Sequence, residues 1–287
     1  MTSLDPRLHA YRTDLADARL EGRVNAARFV EHQERVVAAT VASLRRRPAP
    51  DASLDTEALR GEAVHLFEET AEGWAWVQLA RDGYVGWMPS EALVEPGAPA
   101  THRVSVPRTL VFPGPDIKLP PLGWLPMGAT VFVSGEAEDK NARYGLIEPA
   151  GAVALQHLAP VGETEPDSVA VAERLLHTPY LWGGRTSLGI DCSGLVQLAL
   201  EMAGRPAPRD CDMQVAAIGS AIDITAGLPP LARGDLVFWS GHVGIMQNGE
   251  RLLHANAHHM AVASEDLAVM LERMEVRGQP ITALRRP

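Results

Sequence analysis

The chain has 287 residues, 46% of them hydrophobic, and a net charge of −10. That length predicts two or three domains rather than one module, and the acidity argues against nucleic acid or an anionic polymer surface as the main partner. No apolar run approaches the roughly 18 residues that span a bilayer, and Met1–Leu20 has no apolar stretch. The expectation is therefore a cytoplasmic protein with no membrane partner, a trimmed leader being the alternative.

Residues 1–30 read as an N-terminal segment, partly helical, because Leu15, Ala18, Leu20 and Val24 recur irregularly over 13–31. The texture then changes to short apolar runs broken by Pro and Gly. These are "RVVAATVASLRR", "AVHLFEE", "WAWVQLA", "YVGWMP", "HRVSV", "TLVF", "TVFVSGE" and "GAVALQHL". Strands of this length, spaced by turn residues, predict small barrels or sandwiches. A weak internal repeat runs from Gly61 to Leu93 and again from Gly128 to Leu158. Each copy has a glycine entering a β-run, an acidic turn and a closing Gly–apolar–Leu strand. Two small all-β barrels, 31–97 and 98–162, account for it. Within 51–100, ten acids face only Arg60 and Arg81, a net of −8. A solvated acidic face is the ordinary reading of such a run, and reception of a cationic group is the functional one.

From 163 to 287 the pattern becomes α then β. Helices are expected over 168–177, N-capped by Asp167 or Ser168, and over 192–203. "GDLVFWS", "HVGIMQ", "RLLHANA", "MAVAS" and "ITALRR" are strand candidates. This is an α+β domain with an antiparallel sheet.

The stretch "GIDCSGLV" (189–196) holds one of only two cysteines. Asp191 is a good N-cap, so Cys192 falls at the first helical position, where unpaired N–H groups and the helix dipole favour thiolate. The following run to Met202 is apolar nearly all round, so a buried structural thiol is the competing reading. The second cysteine, Cys211, has no assigned role, and two cysteines without a CxxC fit free thiols better than a scaffold or a zinc site.

"WSGHVGIMQNGERLLHANAHH" shifts the balance toward chemistry. His242 opens one β-run, His254 lies in the next, and Asn248-Gly249 marks the turn. A two-residue loop sets the histidines on opposite faces. A three-residue loop, Gln247-Asn248-Gly249 with Gly249 left-handed, pairs Met246 with Glu250 and His242 with His254. The expectation is the three-residue turn or an equivalent bulge, with cross-strand partners close enough for one imidazole to orient the other.

"PYLWGG" (179–184), "DCSGLVQ" (191–197), "GDLVFW" (234–239), "GHVGI" (241–245) and "LLHA" (252–255) together resemble the NlpC-type cell-wall cysteine peptidase family, over about residues 165–287. The resemblance implies a papain-like catalytic fold behind paired bacterial SH3-like domains. It also implies a γ-D-glutamyl-L-diamino-acid endopeptidase that cuts murein peptides. Carried over motif by motif, Cys192 is the nucleophile, His242 the base and His254 the orienting residue. Tyr180 joins the Cys192 N–H at the oxyanion. The implied substrate has a free N-terminal L-alanine, whose ammonium Asp191, Ser193 and the acidic Glu62 would receive, with Tyr84 helping to close the pocket and Trp182 as a pocket wall. N-capping by Asp191 and barrel-core packing by Tyr84 are the plainer alternatives. Arg185 and Gln214 stay unassigned. No metal or organic cofactor is implied, and His254, His258, His259 and Cys211 lack ligand spacing. An exported murein hydrolase, an acyltransferase and an inert wall-binding module are the competing functions.

Overall fold

The computed structural model describes residues 4–287, which divide into two compact units meeting at Val161/Gly162. In the first unit a seven-stranded antiparallel sheet is built from Gln33–Val37, Val41–Arg45, Leu54–Leu59, Ala63–Glu69, Trp74–Leu79, Val85–Pro89 and Leu93–Val94. The run 35–46, expected as one strand, breaks into two at 38–40, and Leu54–Leu59 is an additional strand. Shorter antiparallel pairings follow between residues 102 and 160.

The two repeat copies adopt the same order of elements. Gly61 and Gly128 both sit at positive φ, +84° and +88°, a conformation that glycine tolerates without a Cβ clash. Their amides donate to Val37 O and Val104 O in corresponding strands. Each copy ends in a 3-10 turn, Ser90–Ala92 or Leu155–His157, which leads into the closing strand.

Among the described residues, the N-terminal segment is not helical beyond one 3-10 turn, Ala18–Leu20. Burial decides this. Ala10 and Leu15 pack with Phe67, Trp76 and Trp87 of the sheet, and Arg12 lies 4.2 Å over the Trp76 ring while pairing with Glu68 at 2.6 Å. A regular helix would turn half of these contacts away.

The second unit carries α1 (Ser168–Glu173), α2 (Cys192–Met202), α3 (Cys211–Ala217) and α4 (Leu267–Val276). Its strands are β1 (Ser220–Ile222), β2 (Leu236–Trp239), β3 (His242–Met246), β4 (Arg251–Asn256), β5 (Ala261–Asp266) and β6 (Ala283–Arg286). They form one antiparallel sheet in the order β1-β6-β2-β3-β4-β5. Val237, Trp239, Met246, Leu252 and Leu284 bury one face against Leu267, Met270 and Met274 of α4. Val243, Ile245, Leu253 and Ala255, at the alternate positions, are also fully buried. A sheet covered on both faces loses the polar alternation of a half-exposed one. α2 packs against β3 and β4, which explains why it is apolar nearly all round. No helix among the described residues is long and apolar enough to cross a membrane.

Candidate active site

Asp191 caps α2 by accepting the Gly194 N–H at 2.7 Å, which fixes Cys192 as the first helical residue. The approach is tight. A Cβ on Gly194 would lie 2.5 Å from Gly184 O, and one on Gly184 would lie 2.4 Å from Gly189 O. The glycines of "WGG" and "CSG" therefore let two backbone segments touch behind the thiol.

Asp191 is more than a cap. Arg209, fully buried, grips it bidentately at 2.9 and 2.6 Å and also donates to Ser193 Oγ at 2.9 Å. Gly183 N–H adds a contact at 2.8 Å. The two residues proposed for the substrate amine are thus already engaged by one guanidinium. Arg209 was not found from sequence, because an arginine 18 positions downstream carries no local signal of this pairing. Gln214 is buried and bridges Ser193 O and Pro208 O, both at 2.9 Å, tying α3 to the first turn of α2. Arg185 is buried in a pair with Glu201 at 2.9 Å.

The hairpin differs from the expected register. Met246 pairs with Leu252, and Gln247 N–H closes on Arg251 O at 2.8 Å. The loop has three residues, but they are Asn248-Gly249-Glu250, one position later than expected. Gly249 does not take positive φ. The Asn248 side chain accepts from both Glu250 N–H and Arg251 N–H at 2.9 Å, supplying the turn by itself. A shift of two in register preserves parity. His242 therefore still shares a face with His254, as a diagonal rather than a direct neighbour, with Nε2 to Nδ1 at 2.8 Å.

The chain of contacts continues. His254 Nε2 lies 2.7 Å from Glu265 Oε1, and Arg273 of α4 donates to Glu265 Oε2 at 2.8 Å. Burial pushes the His254 pKa down despite Glu265, so the ring is neutral near pH 7. Burial raises Glu265, but hydrogen bonds from His254 and Arg273 outweigh it and hold the carboxyl at about 2. An ionised acceptor at Nε2 fixes the tautomer. His254 donates Nε2–H to Glu265 and accepts His242 Nε2–H at Nδ1, leaving His242 Nδ1 for the thiol. Glu265 was legible in principle, since it lies opposite Leu252, two places from the partner of His254.

The Cys192 thiol is buried, and Cys211 Sγ is 3.7 Å away. The Cys211 hydrogen bond and burial raise the Cys192 pKa, while His242 pulls it down. Cys211 is lowered by the Cys192 S–H. Two sulfurs this close cannot both ionise cheaply, so they share the first proton lost and hold the second. Tyr180 is half-buried, its N–H bound to Met260 O at 2.9 Å. Burial, then the charges of Cys192 and Asp191, raise its pKa to about 12, so its hydroxyl stays a donor. Trp182 is 66% exposed.

Tyr84 and Glu62 lie in the first unit. Tyr84 is buried in the turn just before the strand Val85–Pro89, and Glu62 is 3.3 Å from Arg81. Half of the acidic run is paired there, with Asp55 on Arg46, Glu68 on Arg12, Asp82 on Arg81 and Glu95 on Arg35 beside Glu62. Among the described residues, His254, His259 and Glu265 present possible metal-ligand atoms within 4.8 Å, as do His32, Glu34 and His65. A metal on the first set would displace the His254–Glu265 contact. His258 and Cys211 belong to neither set.

Residues 177–276 match the model of the NlpC/P60 family. The chain carries an NlpC/P60 domain. Residues 44–93 match the bacterial dipeptidyl-peptidase SH3 domain, so an SH3 domain precedes the NlpC/P60 domain in the chain. The chain is 27% identical over 240 residues to dipeptidyl-peptidase 6 of Lysinibacillus sphaericus, covering 77% of this chain and 87% of the relative. It is also 27% identical over 228 residues to the γ-D-glutamyl-L-lysine dipeptidyl-peptidase of Bacillus subtilis strain 168, covering 71% and 73%. An NlpC/P60 family protein from Bacillus cereus shares the fold, with a TM-score of 0.70 and 19% identity over 88% of this chain and 99% of that one.

Proposed function

We propose that this NlpC/P60 peptidase hydrolyses the γ-D-glutamyl–diamino-acid bond of murein-derived peptides with a free N-terminal L-alanine. The observation that carries the reading is the hydrogen-bonded line from His242 through His254 to Glu265, with His242 lowering the Cys192 thiol pKa at its near end. The name of the Bacillus subtilis relative supplies the bond. In this reading the Cys192 thiolate attacks the amide carbonyl, and His242, having taken the thiol proton at Nδ1, donates it to the leaving amine. Water activated by His242 then hydrolyses the thioester. The Cys192 N–H and the Tyr180 hydroxyl face the oxyanion. The catalytic unit is read as papain-like, and residues 98–162 as a second SH3-like barrel, on the strength of the repeated element order. Two free thiols fit a reducing compartment, which supports cytoplasmic recycling of such peptides.

The test is to incubate the protein with L-Ala-γ-D-Glu-diaminopimelate and with its N-acetylated form, beside Cys192→Ala. The proposal expects cleavage of the free peptide alone, by the unsubstituted protein alone. Equal cleavage of both peptides refutes the requirement for a free amine, and cleavage by the alanine variant refutes the nucleophile. No turnover of either peptide favours an inert binding module.

A further inference from the structure

Cys211 opens α3 beside the nucleophile, and the proposed hydrolysis gives it no task. Its sulfur lies 3.7 Å from Cys192 Sγ, and neither cysteine is in a disulfide. The pairing is built into the fold. Both cysteines follow an aspartate and start a helix, and Gln214, one turn along α3, hydrogen-bonds Ser193 O and Pro208 O and so locks α3 against the start of α2. Cys192 has His242 as its proton acceptor, while Cys211, partly exposed, is the sulfur of the pair that a dissolved dithiol reaches. A disulfide has its sulfurs about 2.05 Å apart, so closure requires an approach of about 1.7 Å, within reach of side-chain rotation and a small shift of the short α3.

We infer that Cys192 and Cys211 form a reversible disulfide on exposure to a peroxide, which switches the peptidase off and shields its nucleophile. The Cys192 thiolate attacks one oxygen of hydrogen peroxide. The O–O bond breaks, the sulfur is oxidised to sulfenic acid, and hydroxide leaves and is protonated to water. The Cys211 sulfur then attacks the sulfenic sulfur, forming S–S as S–O breaks, and the departing hydroxide takes the Cys211 proton as a second water. Two thiols are oxidised and one peroxide is reduced. A dithiol reverses the reaction by exchange, returning both thiols and becoming a disulfide itself. Without Cys211 the sulfenic acid has no partner at this distance and proceeds to sulfinic acid, which thiols do not reverse.

The effect on activity rests on Cys192 being the nucleophile, but the bond itself is read independently by mass. The purified protein is treated with a few equivalents of hydrogen peroxide, then assayed for peptide cleavage before and after dithiothreitol, beside Cys211→Ser. The expected result is a loss of about 2 Da, both thiols protected from alkylation, and a peptide map joining Cys192 to Cys211. Cleavage falls at least about tenfold and returns with dithiothreitol. Cys211→Ser instead gains about 32 Da and is not rescued. Wild-type protein that keeps two alkylatable thiols, or that gains oxygen as the variant does, overturns the inference. The peptide map needs no variant, so misfolding of Cys211→Ser does not obscure it. A disulfide that forms and leaves cleavage untouched upholds the bond and refutes the nucleophile.

Discussion

Replacing Glu265 by glutamine tests the histidine relay at its far end. Burial raises the Glu265 carboxyl, but contacts from His254 and Arg273 hold it at about 2 against an ordinary value of 4.5. A folded pKa below the unfolded one gives stability that is fully present above about pH 4.5 and lost as the pH falls toward 2. The depression corresponds to about 3 kcal/mol. The His254 Nε2–H and the Arg273 guanidinium supply it together, and because glutamine keeps an acceptor for His254, about 2 kcal/mol is the working figure for the charge alone. Glutamine keeps the shape and an oxygen for His254 Nε2–H, but turns an amide donor toward the Arg273 guanidinium. The expected outcome is about 2 kcal/mol less stability in urea denaturation at pH 7, with the gap closing near pH 2 to 3. Cleavage should fall roughly 10- to 100-fold in kcat/KM, because imidazolium at His242 loses its remote carboxylate. Equal denaturation and equal cleavage by the two proteins at pH 7 would refute the relay.

Arg209→Ala leaves the Asp191 carboxylate buried with two backbone N–H donors and the Ser193 hydroxyl but no countercharge, and should cost about 3 to 5 kcal/mol in thermal or urea unfolding; a change under about 1 kcal/mol would mean that water replaces the guanidinium freely. Gly194→Ala drives a Cβ to 2.5 Å from Gly184 O, a backbone atom with little room to move, so at least about 2 kcal/mol of stability and most activity should be lost. Tyr180→Phe should lower kcat roughly 10- to 100-fold with little change in KM if the hydroxyl meets the oxyanion. Since the Tyr180 pKa is raised to about 12, any alkaline loss of activity below pH 10 should persist in that variant.

The sequence made the catalytic unit legible where one residue determines local geometry. Asp191 as N-cap and Asn248-Gly249 as a turn both follow from side-chain chemistry acting within three residues. The same turn shows the limit. Asn248 can close the loop through its own carboxamide, and no count of strand residues distinguishes that from a left-handed Gly249. Parity survived because hairpin faces repeat every two residues, so the histidine pair was readable and its register was not. α4 escaped attention although Leu267, Met270, Leu271 and Met274 recur at helical spacing. The helix expected over 13–31 failed because the aromatic face of the first sheet captures Ala10, Leu15 and Arg12 more strongly than local propensity holds a helix. Arg209 and Arg273 were invisible because tertiary packing alone supplies their partners.

The base, its orienting residue and the carboxylate behind them all lie on β3, β4 and β5, a meander of 25 consecutive residues, 242–266, whereas the thiol sits 50 residues upstream on a helix. Contacts local in sequence close faster than distant ones. During folding the proton-handling half of the site can therefore assemble as one hairpin stack before α2 docks. A refolding chain then holds a base with nothing to activate, and hydrolytic power arrives only with completion of the core. Pulsed hydrogen exchange should show amides of 242–266 protected ahead of those in 192–202; the reverse order would mean that the helix, not the meander, organises the site.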